Sequence, residues 1–334
     1  MQLPSKWKER LQQGAYEAQW AWLYSGDAAA QRERHLAALA EFTETFGDSQ
    51  KVCFISAPGR TELCGNHTDH QNGHILAGAV TMDMLAVAAP RQDGCIRLKS
   101  QGYGITKLTL EQLTAIPREE GSTKALIRGV AARLQELGHK IGGFSAYVTS
   151  GVPAGLSSSA ALEILLGSIF SFLYNDGSLD PVMLAQVGQY AENRYFGKPC
   201  GLMDQLAASV GGAVAVDFLD LQNPKVESIP CDFDRMGYAL YVVNAGGSHA
   251  GLTSEYAAIP PEMGSVAAYF GKKVLREVDE QTFYSKLGEL RGKVSDRAIL
   301  RAMHFFGDDR RAVEMAQALR AQDVEAYKAI MLAS

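Results

Sequence analysis

Ala57-Pro-Gly-Arg-Thr-Glu-Leu-Cys-Gly-Asn-His-Thr-Asp-His-Gln-Asn-Gly73 concentrates Arg60, Glu62, Asn66, His67, Asp69, His70, Gln71 and Asn72 in one short stretch. An apolar run at residues 52–55 precedes it. The pattern predicts a strand that ends in a Gly-bounded turn. Loops held by a rigid scaffold are where function concentrates. So many donors and acceptors make poor core material. They suit a polyhydroxylated small molecule, whose hydroxyls each need a matched partner.

Outward from this stretch, residues 51–110 read as strands at 52–55, 75–80, 84–89, 96–100 and 105–108. Upstream, the spacing of Trp7, Leu11, Tyr16, Trp20 and Leu23, and then of Leu36, Leu39, Phe42 and Phe46, predicts two helices. Downstream, helices are expected at 125–137, 157–174, 181–196, 277–290 and 296–319, and strands at 144–149, 213–217 and 238–243. The strand block lacks the helices a regular βαβ alternation needs, so the fold class is α+β. The polar stretch 220–230, with two prolines, marks a boundary. It gives an N-terminal domain at 1–225 with a helical extension, and a C-terminal domain at 226–334.

Composition is that of a globular protein, 47% hydrophobic and 21% charged. A net charge of −5 with no basic tract argues against nucleic acid as a partner. The polar N-terminus and the absence of a long unbroken apolar run argue against secretion and a membrane span. Five scattered cysteines without C-x-x-C spacing fit reduced thiols and a cytoplasmic location.

Two further stretches carry chemistry. Gly151-Val-Pro-Ala-Gly-Leu-Ser-Ser-Ser-Ala-Ala-Leu-Glu163 follows a strand and opens a helix. Such a segment can turn backbone N–H groups and the positive end of the helix dipole toward a phosphate. It can equally be a capped helix after a flexible loop. The hydroxyls of Ser157, Ser158 and Ser159 add donors and a possible oxygen ligand for magnesium. Farther along, Ala191-Glu-Asn-Arg-Tyr-Phe-Gly-Lys-Pro-Cys-Gly-Leu-Met-Asp-Gln205 places Glu192 near a helix end and Asp204 at the start of a new segment. Asp204 could polarise a hydroxyl or act as general base, and Glu192 could hold a metal. An Asp stabilised by a helix dipole is the plainer reading of Asp204.

In this order the three stretches resemble the GHMP kinase superfamily and, within it, the galactokinases. The first resembles the signature Gly-Arg-x-Asn-Leu-Ile-Gly-Glu-His-x-Asp-Tyr-Asn-x-Gly, and the second the ATP-binding Pro-x-Gly-x-Gly-Leu-Ser-Ser-Ser-Ala. The third resembles the Glu…Gly-x-Met-Asp-Gln segment. The resemblance implies a two-domain GHMP kinase fold, a mixed α/β N-terminal domain followed by an incomplete ferredoxin-like C-terminal domain. It implies phosphorylation of the anomeric hydroxyl of galactose or a related hexose from ATP with Mg2+. Asp204 falls on the catalytic aspartate and Arg60 on the arginine that orients it. Gly155, Ser157, Ser158 and Ser159 fall on ATP-contacting positions, and Glu192 and Ser159 on the magnesium positions. His67, Asp69, Gly201 and Tyr256 fall on sugar-contacting positions, as does Asn66.

Several positions depart from the family pattern. Asn66 stands where the family has Glu, Glu62 where it has Asn, and His70 where it has Tyr. These bear on which sugar is bound. In Gly151-Val-Pro-Ala-Gly155 either two residues are missing or Pro153, which has no N–H, replaces a loop glycine. The family's later Gly-rich motif has no counterpart, which implies a chain truncated at its C-terminus. A non-catalytic sugar and ATP sensor is the alternative function, although the intact Ser157-Ser-Ser-Ala-Ala161 speaks against it. A metal-dependent hydrolase built on His67, Asp69, His70 and His74 is a third reading. His249 lies in a segment that also resembles galactokinases.

Overall fold

A computed structural model describes residues 1–233, 235–243 and 253–334; His249 lies outside them. The chain forms two compact units that do not follow the expected 225/226 division. Residues 1–60 and 79–211 make the first unit, and residues 61–78 and 212–334 the second.

In the first unit, three helices precede the sheet: α1 (Pro4–Gln12), α2 (Glu17–Leu23) and α3 (Ala28–Phe46). Two were expected; left-handed Gly14 and Gly26 interrupt the periodic apolar pattern and divide it into three. Leu11, Trp20, Leu39 and Phe42 are buried together with Val52 and with Leu85, Val87 and Tyr147 of the sheet. β1 (Cys53–Cys64) continues well beyond the expected strand, so Arg60 sits on a strand and the turn begins only at Gly65. β2 (His74–Arg91) is one long strand where two were expected. Its C-terminal part pairs antiparallel with β5 (Gly143–Ser150), as in Val87 opposite Tyr147. β5 runs parallel to β3 (Cys95–Ser100), which pairs antiparallel with β4 (Ile105–Thr109).

Four helices complete this unit: α4 (Thr123–Glu136), α5 (Ser158–Tyr174), α6 (Pro181–Ala191) and α7 (Met203–Val210). Their apolar residues, Ile127, Val130, Leu165, Ile169 and Val187 among them, join Ala86, Ala88, Ile96 and Phe144 in the main core. α6 was expected to run to residue 196. It gives way instead to a π-helical turn, Glu192–Phe196, a widened turn common at functional sites.

The second unit contains the N-terminal part of β2, paired antiparallel with β6 (Ala213–Asp217), which pairs with β7 (Lys225–Ile229). Its helices are α8 (Thr253–Tyr269), α9 (Glu280–Ser285), α10 (Leu287–Leu290), α11 (Asp296–Arg320) and α12 (Val324–Ala333). Met263, Val266, Phe283, Ala302 and Phe305 form one core there. Leu63, Leu76, Ile229, Met315 and Leu319 form another.

Two expectations fail here. The helix foreseen over 277–290 is two short ones. Residues 238–243, foreseen as a strand, join no sheet among the described residues and leave Tyr241 and Val243 each 84% exposed. An apolar run becomes a strand only when a neighbour takes up its backbone hydrogen bonds.

Candidate active site

Arg60 reaches the site because β1 passes unusually close to the segment that leads into α5. A Cβ on Gly59 would lie 2.9 Å from both the Leu156 carbonyl oxygen and a Val152 methyl. Only glycine permits that approach. Asp204 lies in the first turn of α7. The Arg60 guanidinium grips it with both arms: Nε donates to Oδ1 at 2.7 Å and Nη2 to Oδ2 at 2.9 Å. This planar fork matches a carboxylate as no lysine can. The Ser157 hydroxyl donates to the same Oδ2.

Ser157 has a left-handed backbone, φ 58°, and its side chain makes no cap hydrogen bond to α5. A non-glycine residue in that region costs about 1 kcal/mol. The strained turn directs the hydroxyl at Asp204 rather than into the helix, so the opening amides of α5 have no side-chain cap. Burial alone would raise the Asp204 carboxyl. The charge and hydrogen bonds of Arg60, with Ser157 and Lys198, outweigh burial and hold it below the usual carboxylate range.

Glu192, 1% exposed, opens the π-helical turn. Its Oε1 accepts from the Ser159 hydroxyl at 2.9 Å and from Lys198 Nζ at 3.2 Å. Its Oε2 accepts from Gln205 Nε2 at 2.9 Å, and that amide also donates to Glu163 Oε2 at 3.0 Å. Burial, then the Glu192 charge, pushes the Glu163 carboxyl well up and favours its neutral form. Burial would lower Lys198, but Glu192 outweighs it and the ammonium is held above its ordinary value. Asp204 and Glu192 thus each lie against a cation, Arg60 and Lys198, while burial and the neighbouring Glu192 push Glu163 toward its neutral form.

The remaining candidates divide between the units. Gly155 lies in the single turn Ala154–Leu156, Ser158 opens α5, and Gly201 precedes α7. Asn66, His67 and Asp69 belong to the second unit. His67 has a left-handed backbone, φ 61°. Its ring meets Tyr256 of α8 edge-on with centroids 5.6 Å apart, and His70 in a stacked arrangement at 5.8 Å. Asp69 is buried, and its Oδ1 accepts the His70 N–H at 2.9 Å. The hydrolase reading finds no footing. His74 lies among Asp217, Asp309 and Arg276, and no group of three or more His, Cys, Asp or Glu could hold a metal ion among the described residues.

Comparison with known proteins decides the family. The galactokinase galactose-binding signature matches residues 40–90, and the GHMP kinase N-terminal domain matches residues 125–212. A protein of Glaesserella parasuis serovar 5 (strain SH0165) named galactokinase is 33% identical over 298 residues, 87% of this chain and 75% of that protein. The chain belongs to the galactokinase family of GHMP kinases.

As a galactokinase-family member it is an ATP-using sugar kinase, and its architecture is the GHMP kinase fold. Lactococcus lactis galactokinase, solved with galactose, superposes with a TM-score of 0.75 at 24% identity, covering 89% of this chain and 77% of that one. A D-glycero-D-manno-heptose 1-phosphate kinase from Bacteriodes thetaiotaomicron gives 0.53 at 17% identity, covering 84% and 76%. Likeness at such identity speaks to the fold. Sequence reading named Arg60, Ser157, Ser159, Glu192 and Asp204, and the fold gathers all five in the first unit. It assigned no part to Lys198 or Glu163. An acid within the apolar run of α5 was the available signal for Glu163.

Proposed function

We propose that this chain transfers the γ-phosphoryl group of ATP to the anomeric hydroxyl of galactose or a closely related hexose, giving the sugar 1-phosphate. The observation that carries the reading is the Arg60–Asp204–Ser157 constellation at the start of α5, with Ser159 and Glu192 hydrogen-bonded beside it.

Phosphoryl transfer asks a protein for positioning and charge stabilisation more than for covalent chemistry. In this reading Asp204 orients the attacking hydroxyl. Its lowered proton affinity makes it a weak base, so it takes the proton late, as the new oxygen–phosphorus bond forms. Arg60 holds the carboxylate in place and offsets negative charge on the transferring group. Ser157, Ser158 and Gly155 are assigned to the ATP phosphates, together with the opening amides of α5.

The donor set fits Mg2+. Ser159 Oγ and Glu192 Oε1, 2.9 Å apart, are two hard oxygen ligands of the kind that ion takes, with the remaining positions left to phosphate and water. When bound, Mg2+ supplies neutralising charge to the phosphate oxygens. Gln205 holds the other Glu192 oxygen and so fixes the carboxylate's orientation. Asn66, His67, Asp69, Tyr256 and Gly201 are assigned to the sugar. Asn66 in place of Glu weakens any contact it makes, since an amide lacks charge-assisted strength. The reaction is placed in the cytoplasm, in keeping with five free cysteines. Among the described residues no helix is long and apolar enough to cross a membrane.

The test is ATP-dependent product formation with galactose, N-acetylgalactosamine and other hexoses. Product with at least one sugar, dependent on Mg2+, is expected. Tight sugar binding without product would replace this reading with a sensor.

A further inference from the structure

The loop that carries Asn66, His67 and Asp69 is gripped at both ends by two consecutive residues of α11. At its start, the Asp308 Oδ2 accepts the backbone N–H groups of Gly65 at 3.1 Å and Asn66 at 2.6 Å. One helical turn earlier, His304 Nε2–H donates to the Asn66 carbonyl at 2.8 Å. His304 and Asp308 are four residues apart and share a helix face, so together they hold both the N–H and the carbonyl of Asn66. At the loop's other end, Asp309 Oδ1 accepts the His74 backbone N–H at 2.6 Å. Phe305, four residues before Asp309, closes on the same spot. A Cβ on Gly73 would lie 2.7 Å from Asp309 Oδ1 and 2.9 Å from a Phe305 ring carbon.

Asp308 is 0% exposed, a costly place for a carboxylate unless it is fully satisfied. Burial alone would raise it. Hydrogen bonds from Ser334, the Asn66 N–H and Arg311 outweigh that and hold it below the usual range. Asp309 is held in turn by Arg276, whose guanidinium lies 3.3 Å from both of its oxygens and from Asp217 Oδ1. Inside the loop, buried Thr68 donates to the Gly65 carbonyl at 2.9 Å, and Gln71 Oε1 accepts the Leu275 N–H at 3.0 Å. The loop's backbone is thus fixed from behind, by contacts at both of its ends.

We propose that Asp308 and Asp309 are positioning residues for sugar binding, which set the geometry of the 65–74 loop through its terminal amides without touching the sugar. The proposal rests on the reading that Asn66, His67 and Asp69 contact the sugar. A preorganised loop does not have to be ordered when the ligand binds, so releasing it weakens ground-state binding of that ligand alone.

The experiment is steady-state kinetics of Asp309→Asn and Asp309→Ala, varying galactose and ATP separately, with amide hydrogen exchange on the same proteins. Asp309 is preferred for the Ala change because Asp308 is fully enclosed and its truncation could prevent folding; Asp308→Asn serves there. Charge-assisted hydrogen bonds of this kind imply about a tenfold rise in KM for galactose in Asp309→Ala. The rise should be smaller in Asp309→Asn, whose amide oxygen still accepts. KM for ATP should stay within about twofold. The Gly65 and Asn66 amides should exchange faster in Asp308→Asn, and the His74 amide in Asp309→Ala. A loss of active protein at unchanged KM for galactose would overturn the proposal. Should the unmodified protein phosphorylate no sugar, the kinase reading fails on its own. Hydrogen exchange still decides whether the clamp exists.

Discussion

The two candidate functional regions are built in opposite ways. Around Asp204 and Glu192, side chains hold side chains: Arg60 forks onto one carboxylate, and Ser159, Lys198 and Gln205 converge on the other. In the 65–74 loop, by contrast, carboxylates distant in sequence hold the backbone. The first arrangement fixes charges, which in the proposed function serve phosphoryl transfer at its peak of negative charge. The second fixes a shape, which binding uses in the ground state. Substitutions in the first should therefore appear mainly in kcat, and substitutions behind the second mainly in KM for the sugar.

The largest expected effect is that of Asp204→Asn. It keeps the size of the side chain and should cost about 10³-fold in kcat with little change in KM for galactose. An effect confined to KM would erase the contrast between the regions. Next comes Arg60→Ala, expected to cost about 10²-fold in kcat. Arg60→Lys should recover only part of this, because an ammonium cannot match both carboxylate oxygens. Equal activity of the Lys and wild-type proteins would mean that the fork is structural only. A smaller effect is expected of Gln205→Leu. It leaves Glu192 and Ser159 in place but frees the Glu192 carboxylate to turn, and should raise the Mg2+ concentration for half-maximal rate about tenfold. No change in that titration would mean that Gln205 does not orient Glu192 for the proposed metal.

The smallest effects concern pH, and here the first region divides internally. The folded Asp204 carboxyl titrates below its unfolded value. Its contribution is therefore present above about pH 4 and lost as pH falls through the folded value. The Glu163 carboxyl titrates above its unfolded value. Its contribution is present below about pH 4 and lost as pH rises through the folded value. Thermal melts across pH should show Asp204→Asn flattening the acid side of the stability curve, and Glu163→Gln flattening the opposite side. Identical slopes in both variants would contradict the assigned directions.

Much of the first region was legible in sequence because its parts are short motifs at helix and strand ends. Ser157 and Ser159 open a helix, Glu192 closes one, and Asp204 begins another. The strand bearing Arg60 was read as loop, since polar residues on an alternating strand resemble a turn when its partner strand is unknown. Helix α8 went unforeseen, and Pro260 and Pro261 within it explain why. The clamp was invisible for a different reason. Asp308 and Asp309 look like ordinary solvent-facing acids of an amphipathic helix, and only the fold brings amides from more than two hundred residues away onto them. Local pattern reveals what a residue can do, while burial and long-range pairing reveal what it is used for.

Because Asp308 and Asp309 are neighbours on one helix, their Cα atoms are a fixed 3.8 Å apart. The helix therefore acts as a gauge for the width of the loop's mouth. A residue inserted between positions 65 and 74 cannot be absorbed by spreading the ends. It must bulge at the tip, among the side chains assigned to the sugar. Apart from Gly65 and Gly73, the loop's fold should thus withstand side-chain exchange far better than any change in its length.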